Sequence, residues 1–197
     1  MDERQEKQTG AGRPRSRKAL EAVMTATLNL LKTTSYNQLT MERIAKEAGV
    51  GKPTLYRWWS GVPFIVMEAL MLQAESEIGS PDTGQLISDV HQYLKQTFRS
   101  LTEGTGETVR SLMAEAQLNP DFAGVFRETF ISSRRQTLIR ILERGVQRGE
   151  LPQNADLELI ADLCYGPMWY RLLNRHAALD ETFAASLVSY LFDSDGR

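Results

Sequence analysis

Two cationic and two hydroxyl side chains fall within the six residues Lys52-Pro53-Thr54-Leu55-Tyr56-Arg57. Lys and Arg neutralise phosphates, and Thr and Tyr hydroxyls can fix register against a phosphate-lined groove, so the chemistry on offer is recognition of a polyanion rather than bond making. A Lys or Arg at a helix start can reach guanine acceptors and a Thr can meet a thymine methyl, which makes Arg43, Lys52 and Thr54 the candidates for base edges. Thr40, Tyr56, Arg57 and Trp58 are the candidates for phosphate and sugar, by hydroxyl, guanidinium and indole donors.

Such groups must be held on a rigid unit, and the flanking sequence supplies one. Met41, Ile44, Ala45 and Ala48 recur at i, i+3, i+4 and i+7, an apolar stripe with Glu42, Arg43, Lys46 and Glu47 facing outward. Thr40 reads as the N-cap of that helix and Gly49 as the left-handed residue that ends it. The turn Gly49-Val50-Gly51 is short, so a second helix leaves at a steep angle, with Pro53 in its first turn, where a missing N–H costs nothing. Leu55 and Trp59 pack inward. Lys52, Pro53, Thr54, Tyr56 and Arg57 stay largely exposed and Trp58 lies at the boundary. The unit, at about 40–59, reads as a DNA-binding helix-turn-helix.

The run resembles the tetracycline-repressor (TetR/AcrR) family of one-component transcriptional regulators. The matching features are the basic lead-in Arg13-Pro14-Arg15-Ser16-Arg17, a first helix with Leu20, Val23, Met24, Thr27, Leu28 and Leu31, the Tyr36–Thr40 connection, and the string from Ala45 to Trp59. They coincide in order across roughly residues 14 to 77. The resemblance implies the phosphate roles of Thr40, Tyr56, Arg57 and Trp58, a ligand-binding and dimerising C-terminal body, and most often repression. Two positions depart from the family pattern: Ser35 stands where a Gly is usual, and Val62 where a phosphate-touching Lys is usual.

Charge is unevenly placed. Residues 1–60 hold 11 Lys and Arg against 6 Asp and Glu, while the whole chain of 197 residues has a net charge of -2, so a basic head sits on an acidic body. Residues 1–13 read as a disordered, basic-flanked arm, and Arg15 and Arg17 join the candidate DNA contacts as groups that follow backbone or enter a minor groove. The longest apolar stretch, around Val62 to Leu72, is too short to span a membrane and contains Glu68, so no membrane partner is expected and the location expected is cytoplasmic. Cys164, the single cysteine, excludes an internal disulfide.

No enzyme or cofactor is expected. His91 and His176 lie far apart without a metal-ligand motif, and Gly51-Lys52 is not the end of a phosphate loop because Lys46 stands where that loop needs Gly. The alternative reading is a helical small-molecule-binding or enzymatic protein whose helix-turn-helix is only structural.

No strand pattern appears, so the fold class is all-α: a three-helix DNA-binding head over residues 14–77 and a helical ligand-binding and dimerisation body over 78–197. A fourth helix, about Pro63 to Glu77, joins them. The body reads as helices over Leu86–Leu101, about Glu107–Leu118, Phe122–Arg148, Asp156–Arg175 and Asp180–Phe192, with breaks at Gly79–Gly84, Glu103–Gly106 and Asn119-Pro120. Tyr93, Phe98, Met113, Gln117, Phe122, Phe126, Tyr165, Met168 and Trp169 are the candidate lining of a small-molecule pocket; residue by residue each could equally be core, and the pocket is what the resemblance implies. The helix from Asp156 is apolar on two faces, Leu157, Ile160, Ala161 and Cys164 on one and Leu159, Leu163 and Leu173 on another. Two apolar faces at the end of a chain suggest burial against a second copy, and Leu157, Ile160, Cys164, Phe183, Leu187, Val188 and Leu191 are the candidate homodimer interface. The partners expected are a palindromic duplex operator, a small-molecule effector and a second copy of the chain.

Overall fold

Apolar residues recur at helical spacing along most of the chain, and burial is achieved by helices packed on helices. The computed structural model describes residues 16–192, which contain ten α-helices and no β-strand. α1 spans Arg17–Thr33 and turns Val23, Met24, Ala26, Thr27 and Leu30 inward; the buried Thr27 hydroxyl donates to the Val23 carbonyl at 2.8 Å, so no polar group is stranded in that face.

After a 3-10 turn at Tyr36–Gln38, α2 spans Met41–Ala48. Thr40 caps it by accepting the Arg43 N–H at 3.1 Å, and Gly49 ends it at φ 65°. The left-handed conformation lets the Gly49 N–H close on the Ala45 and Lys46 carbonyls, a geometry that a side chain would strain. α3 is Lys52–Trp58, with Pro53 in its first turn. α4 spans Val62–Glu77, beginning one residue before the Pro63 start that the sequence suggests. Its buried residues Ile65, Val66, Met67, Ala69 and Leu70 face more than one neighbour: α4 packs on α1 and also on α5 and α6.

α5 spans Leu86–Ser100. The break before it is pinned by Asp89, fully buried, whose carboxylate accepts the Thr83 N–H at 2.6 Å and the Thr83 hydroxyl at 2.7 Å and meets Arg148 at 3.4 Å. A π-type turn, Leu101–Thr105, follows, and then α6, Gly106–Leu118. Gly106 is required there: a Cβ would stand 2.2 Å from the Leu101 carbonyl oxygen.

Beyond Asn119, whose side chain accepts the Phe122 N–H at 3.2 Å, a helical run extends from Pro120 to Gln147. The sequence reads it as one α-helix from Phe122. In fact a π segment, Phe126–Ile131, separates α7 (Pro120–Val125) from α8 (Ser132–Gln147). The wider turn sets Phe122, Phe126 and Phe130 one above another, with ring centroids 5.7 Å and 5.1 Å apart, and Phe64 of α4 meets Phe122 edge to face at 5.1 Å.

α9, Leu157–Asn174, continues through Pro167 and closes on Arg175, a left-handed residue at φ 53°. α10, Glu181–Phe192, packs along α5, where Phe183 stacks on Phe98 at 5.6 Å and lies under the Arg171 guanidinium.

Candidate functional site

The helix-turn-helix presents the residues that its spacing assigns. Leu55 and Trp59 are buried, Thr54 and Trp58 are half-buried, and Lys52, Pro53, Tyr56 and Arg57 stand exposed on one side of α3. Thr54, Arg57 and Trp58 line a shallow notch with Ser16 and Gly51, where the starts of α1 and α3 come together. The starts of two helices thus flank a guanidinium and a hydroxyl, an arrangement suited to a phosphate. Arg17 is exposed at the start of α1 and pairs with Glu21 at 2.9 Å. Arg15 lies outside the described residues.

Three candidates have partners that the sequence did not disclose. Arg43 donates to the Thr34 hydroxyl at 2.8 Å, tying α2 to the end of α1. Lys52 lies 3.5 Å from Glu42, and the Tyr56 hydroxyl donates to the same carboxylate oxygen at 3.3 Å. The Glu42 carboxyl is held below the usual range by its own backbone N–H, with Lys52 and Tyr56 adding to the effect. Val62, in place of the usual Lys, packs against the apolar core at the first turn of α4.

The body holds an open-mouthed cavity of about 390 Å³, within the ordinary size of ligand pockets. α4 contributes Leu70, Gln73 and Ala74, α5 contributes Thr97 and Ser100, and the far wall is Phe130 and Arg134 with Tyr165, Met168 and Trp169 of α9. Of the nine pocket residues expected from sequence, Tyr165, Met168 and Trp169 line this space. Tyr93 stands behind the wall, its hydroxyl 2.7 Å from that of Tyr165, and Tyr165 donates to the Arg134 carbonyl at 2.8 Å. Burial raises the pKa of both phenols.

The other five do not line it, each for a packing reason. Phe98 is taken up by Phe183. Phe122 and Phe126 fill the space between Phe64 and Phe130. Met113 and Gln117, one turn apart on α6, meet each other, the Gln117 amide 3.7 Å from the Met113 sulfur. Sequence reasoning also missed the polar lining, Arg134, Arg135 and Asp162 above all. One signal was present: Arg134 stands four residues beyond Phe130, which lines the cavity.

The structure places the expected dimer contacts toward the protomer's own core. Cys164, Leu187 and Val188 are buried within the single chain, and Leu157, Ile160, Phe183 and Leu191 pack half-buried against its core. Burial pushes the Cys164 thiol up to about 12. The surface apolar face of α9 is the opposite one. Leu159, Leu163, Tyr170 and Leu173 are between 45% and 62% exposed and follow one another at helical spacing with Gly166, and Tyr190 of α10 is exposed too.

A cationic recognition helix set on a helical body that holds a mainly apolar cavity defines a ligand-responsive, DNA-binding transcriptional regulator. Comparison with known proteins agrees. Residues 23–61 match the bacterial regulatory proteins of the tetR family, and residues 80–191 match the tetracyclin repressor-like C-terminal domain. The HTH-type transcriptional regulator YdeS of Bacillus subtilis (strain 168) is 33% identical over 94% of this chain and 93% of its own length. AqdR of Rhodococcus erythropolis, also an HTH-type regulator, is 26% identical over 71% of this chain and 67% of its own. Among solved structures, the TetR family transcription regulator SCO0332 superposes with a TM-score of 0.83 at 28% identity, covering 90% of this chain and 98% of that one. The chain belongs to the tetR family of bacterial regulatory proteins. Among the described residues no helix is long and apolar enough to cross a membrane.

Proposed function

We propose that two copies of this chain pair through the outer stripe of α9 together with α10, bind a palindromic or pseudo-palindromic operator as a repressor, and are released by a small molecule held in the cavity. The division of labour is a DNA-binding head over residues 14–77 and a binding and pairing body over 78–197, acting in the cytoplasm without catalysing a reaction. A two-fold dimer needs half-sites related by the same axis, about one helical turn or roughly 34–36 Å apart, or farther if the heads spread.

The observation that carries this reading is the sharing of α4. Its first turns follow directly on α3, and its later residues Leu70, Gln73 and Ala74 line the cavity. The aromatic column Phe64, Phe122, Phe126, Phe130 runs beside it, from the first turn of α4 to the cavity wall. A ligand that favours one placement of α4 therefore bears on the position of α3, and its effect on DNA equals its differential affinity for the two states. Selection of bound sequences from a random duplex pool, followed by footprinting, tests the function and yields the operator. Paired, symmetry-related half-sites are the expected result; unrelated single half-sites count against it. A ligand that saturates the protein yet leaves operator affinity unchanged removes the release step.

A further inference from the structure

The cavity lining carries three charged groups, Arg134, Arg135 and Asp162. Two of them are already satisfied. Arg135 makes short ion pairs with both Asp162 and Glu158, bridging α8 to α9 at the mouth. Both carboxylates lie largely in water there, with side chains 66% and 71% exposed, so their charge is screened. Arg134 differs. It is half-buried, and no carboxylate among the described residues lies within 4.0 Å of its guanidinium. Several other hydrogen-bonding groups of the lining are turned to the chain itself: Gln73 donates to Glu77 at 2.8 Å, Thr97 to the Tyr93 carbonyl at 2.8 Å, and Thr105 to the Ser100 carbonyl at 2.8 Å. A cation in the wall of a mainly apolar cavity, without a counter-charge of its own, offers an entering anion a charge-assisted hydrogen bond.

We infer that the cavity takes an apolar monoanion, a compound whose carboxylate-like head meets the Arg134 guanidinium while its apolar body lies among Leu70, Val109, Phe130, Met168 and Trp169. This rests on the ligand-binding role proposed above and names the chemical class of its ligand. Arg134 stands one turn beyond Phe130, so the charge of the ligand is met at the cavity end of the aromatic column.

The test uses the full-length protein and isosteric probes below their micellar concentrations: decanoate, 1-decanol and decylammonium, and 2-naphthoate with 2-naphthol. Binding is measured by calorimetry on the wild type, on Arg134→Gln and on Arg134→Lys, with operator affinity measured in parallel. At least one carboxylate should bind about tenfold to a hundredfold more tightly than its alcohol, the gain of one hydrogen bond to a charged group. Arg134→Gln should abolish that preference and leave the alcohol's affinity unchanged, which also reports an intact cavity, and Arg134→Lys should keep most of it. The inference is overturned if no carboxylate binds, if acid and alcohol bind alike, if the ammonium probe binds best, or if the preference survives in Arg134→Gln. A carboxylate that binds through Arg134 and leaves operator affinity untouched upholds the inference while sinking the release step of the proposed function.

Discussion

The Glu42 carboxylate of α2 stands 3.5 Å from the Lys52 ammonium at the start of α3. It also accepts the Tyr56 hydroxyl, so one acidic side chain occupies two of the groups that face the duplex. All three residues are exposed, so the pairing contributes little to folding, but a bound duplex must displace it. Glu42→Gln should therefore raise affinity for random duplex several-fold and steepen the dependence of log affinity on log salt by about one unit. Titrations at several salt concentrations check this; an unchanged slope would mean that Glu42 lies clear of the bound duplex.

The contacts of α3 should separate by type. Lys52→Ala or Thr54→Ala should cost about 1–3 kcal/mol on the selected operator and relax preference at one position, whereas Arg57→Ala should weaken all sequences alike and lower the salt slope by about one. Competition binding against single-position operator variants distinguishes the two behaviours.

Leu163 and Leu187 should respond oppositely to a charge. Leu163 lies on the exposed stripe of α9, and Leu163→Glu should yield a folded monomer with much reduced operator affinity. Leu187 packs inside the protomer, so Leu187→Asp buries an unpaired carboxylate and should cost more than about 3 kcal/mol of stability. Light scattering for mass and circular dichroism for melting separate loss of the dimer from loss of the fold.

Cys164 is sealed by its own chain, and with its pKa pushed up to about 12 by burial, roughly one thiol in ten thousand is ionised at pH 8. Native protein should resist a thiol reagent at pH 8, at high dilution as well as at high concentration, and react at once in denaturant. Rapid labelling on dilution would instead place the thiol at a subunit contact. The raised value also sets a sign: above the ordinary value of 9.0 the unfolded chain loses this proton and the folded chain keeps it, so stability should fall as pH rises from 9 toward 12.

Phe122 sits in the aromatic column between Phe64 and Phe126, away from both the cavity lining and the duplex-facing side of α3. Phe122→Leu should leave operator affinity of the unliganded protein and affinity for an effector found by thermal-shift screening near their wild-type values. It should lower the coupling between them by about 0.5–2 kcal/mol. Operator binding with and without saturating effector reads this; full coupling in the variant would take the column out of the pathway.

The head was legible in the residues because its determinants are local. A Thr cap reaches three residues, a left-handed Gly closes one turn, and an apolar stripe at i, i+3 and i+4 selects one face, so Thr40, Gly49, Leu55 and the exposed side of α3 follow from spacing alone. The breaks at Asn119 and Gly104–Gly106 were legible for the same reason.

What only tertiary structure decided depends on residues distant in sequence. α9 is apolar on two faces, and nothing within its eighteen residues says which is inside; contact with α8 and α6 takes Cys164 inward and leaves Leu159, Leu163 and Leu173 outside. The cavity is likewise a gap left between segments from Leu70 to Trp169, and a gap has no local signature. Phe122 of α7 meets Phe64, the π segment that follows sets Phe126 against Phe122, and Arg134 beyond it reaches the wall. Helical periodicity says that a residue faces inward; whether it meets core, ligand or a second subunit is settled by what the other helices bring to the same place.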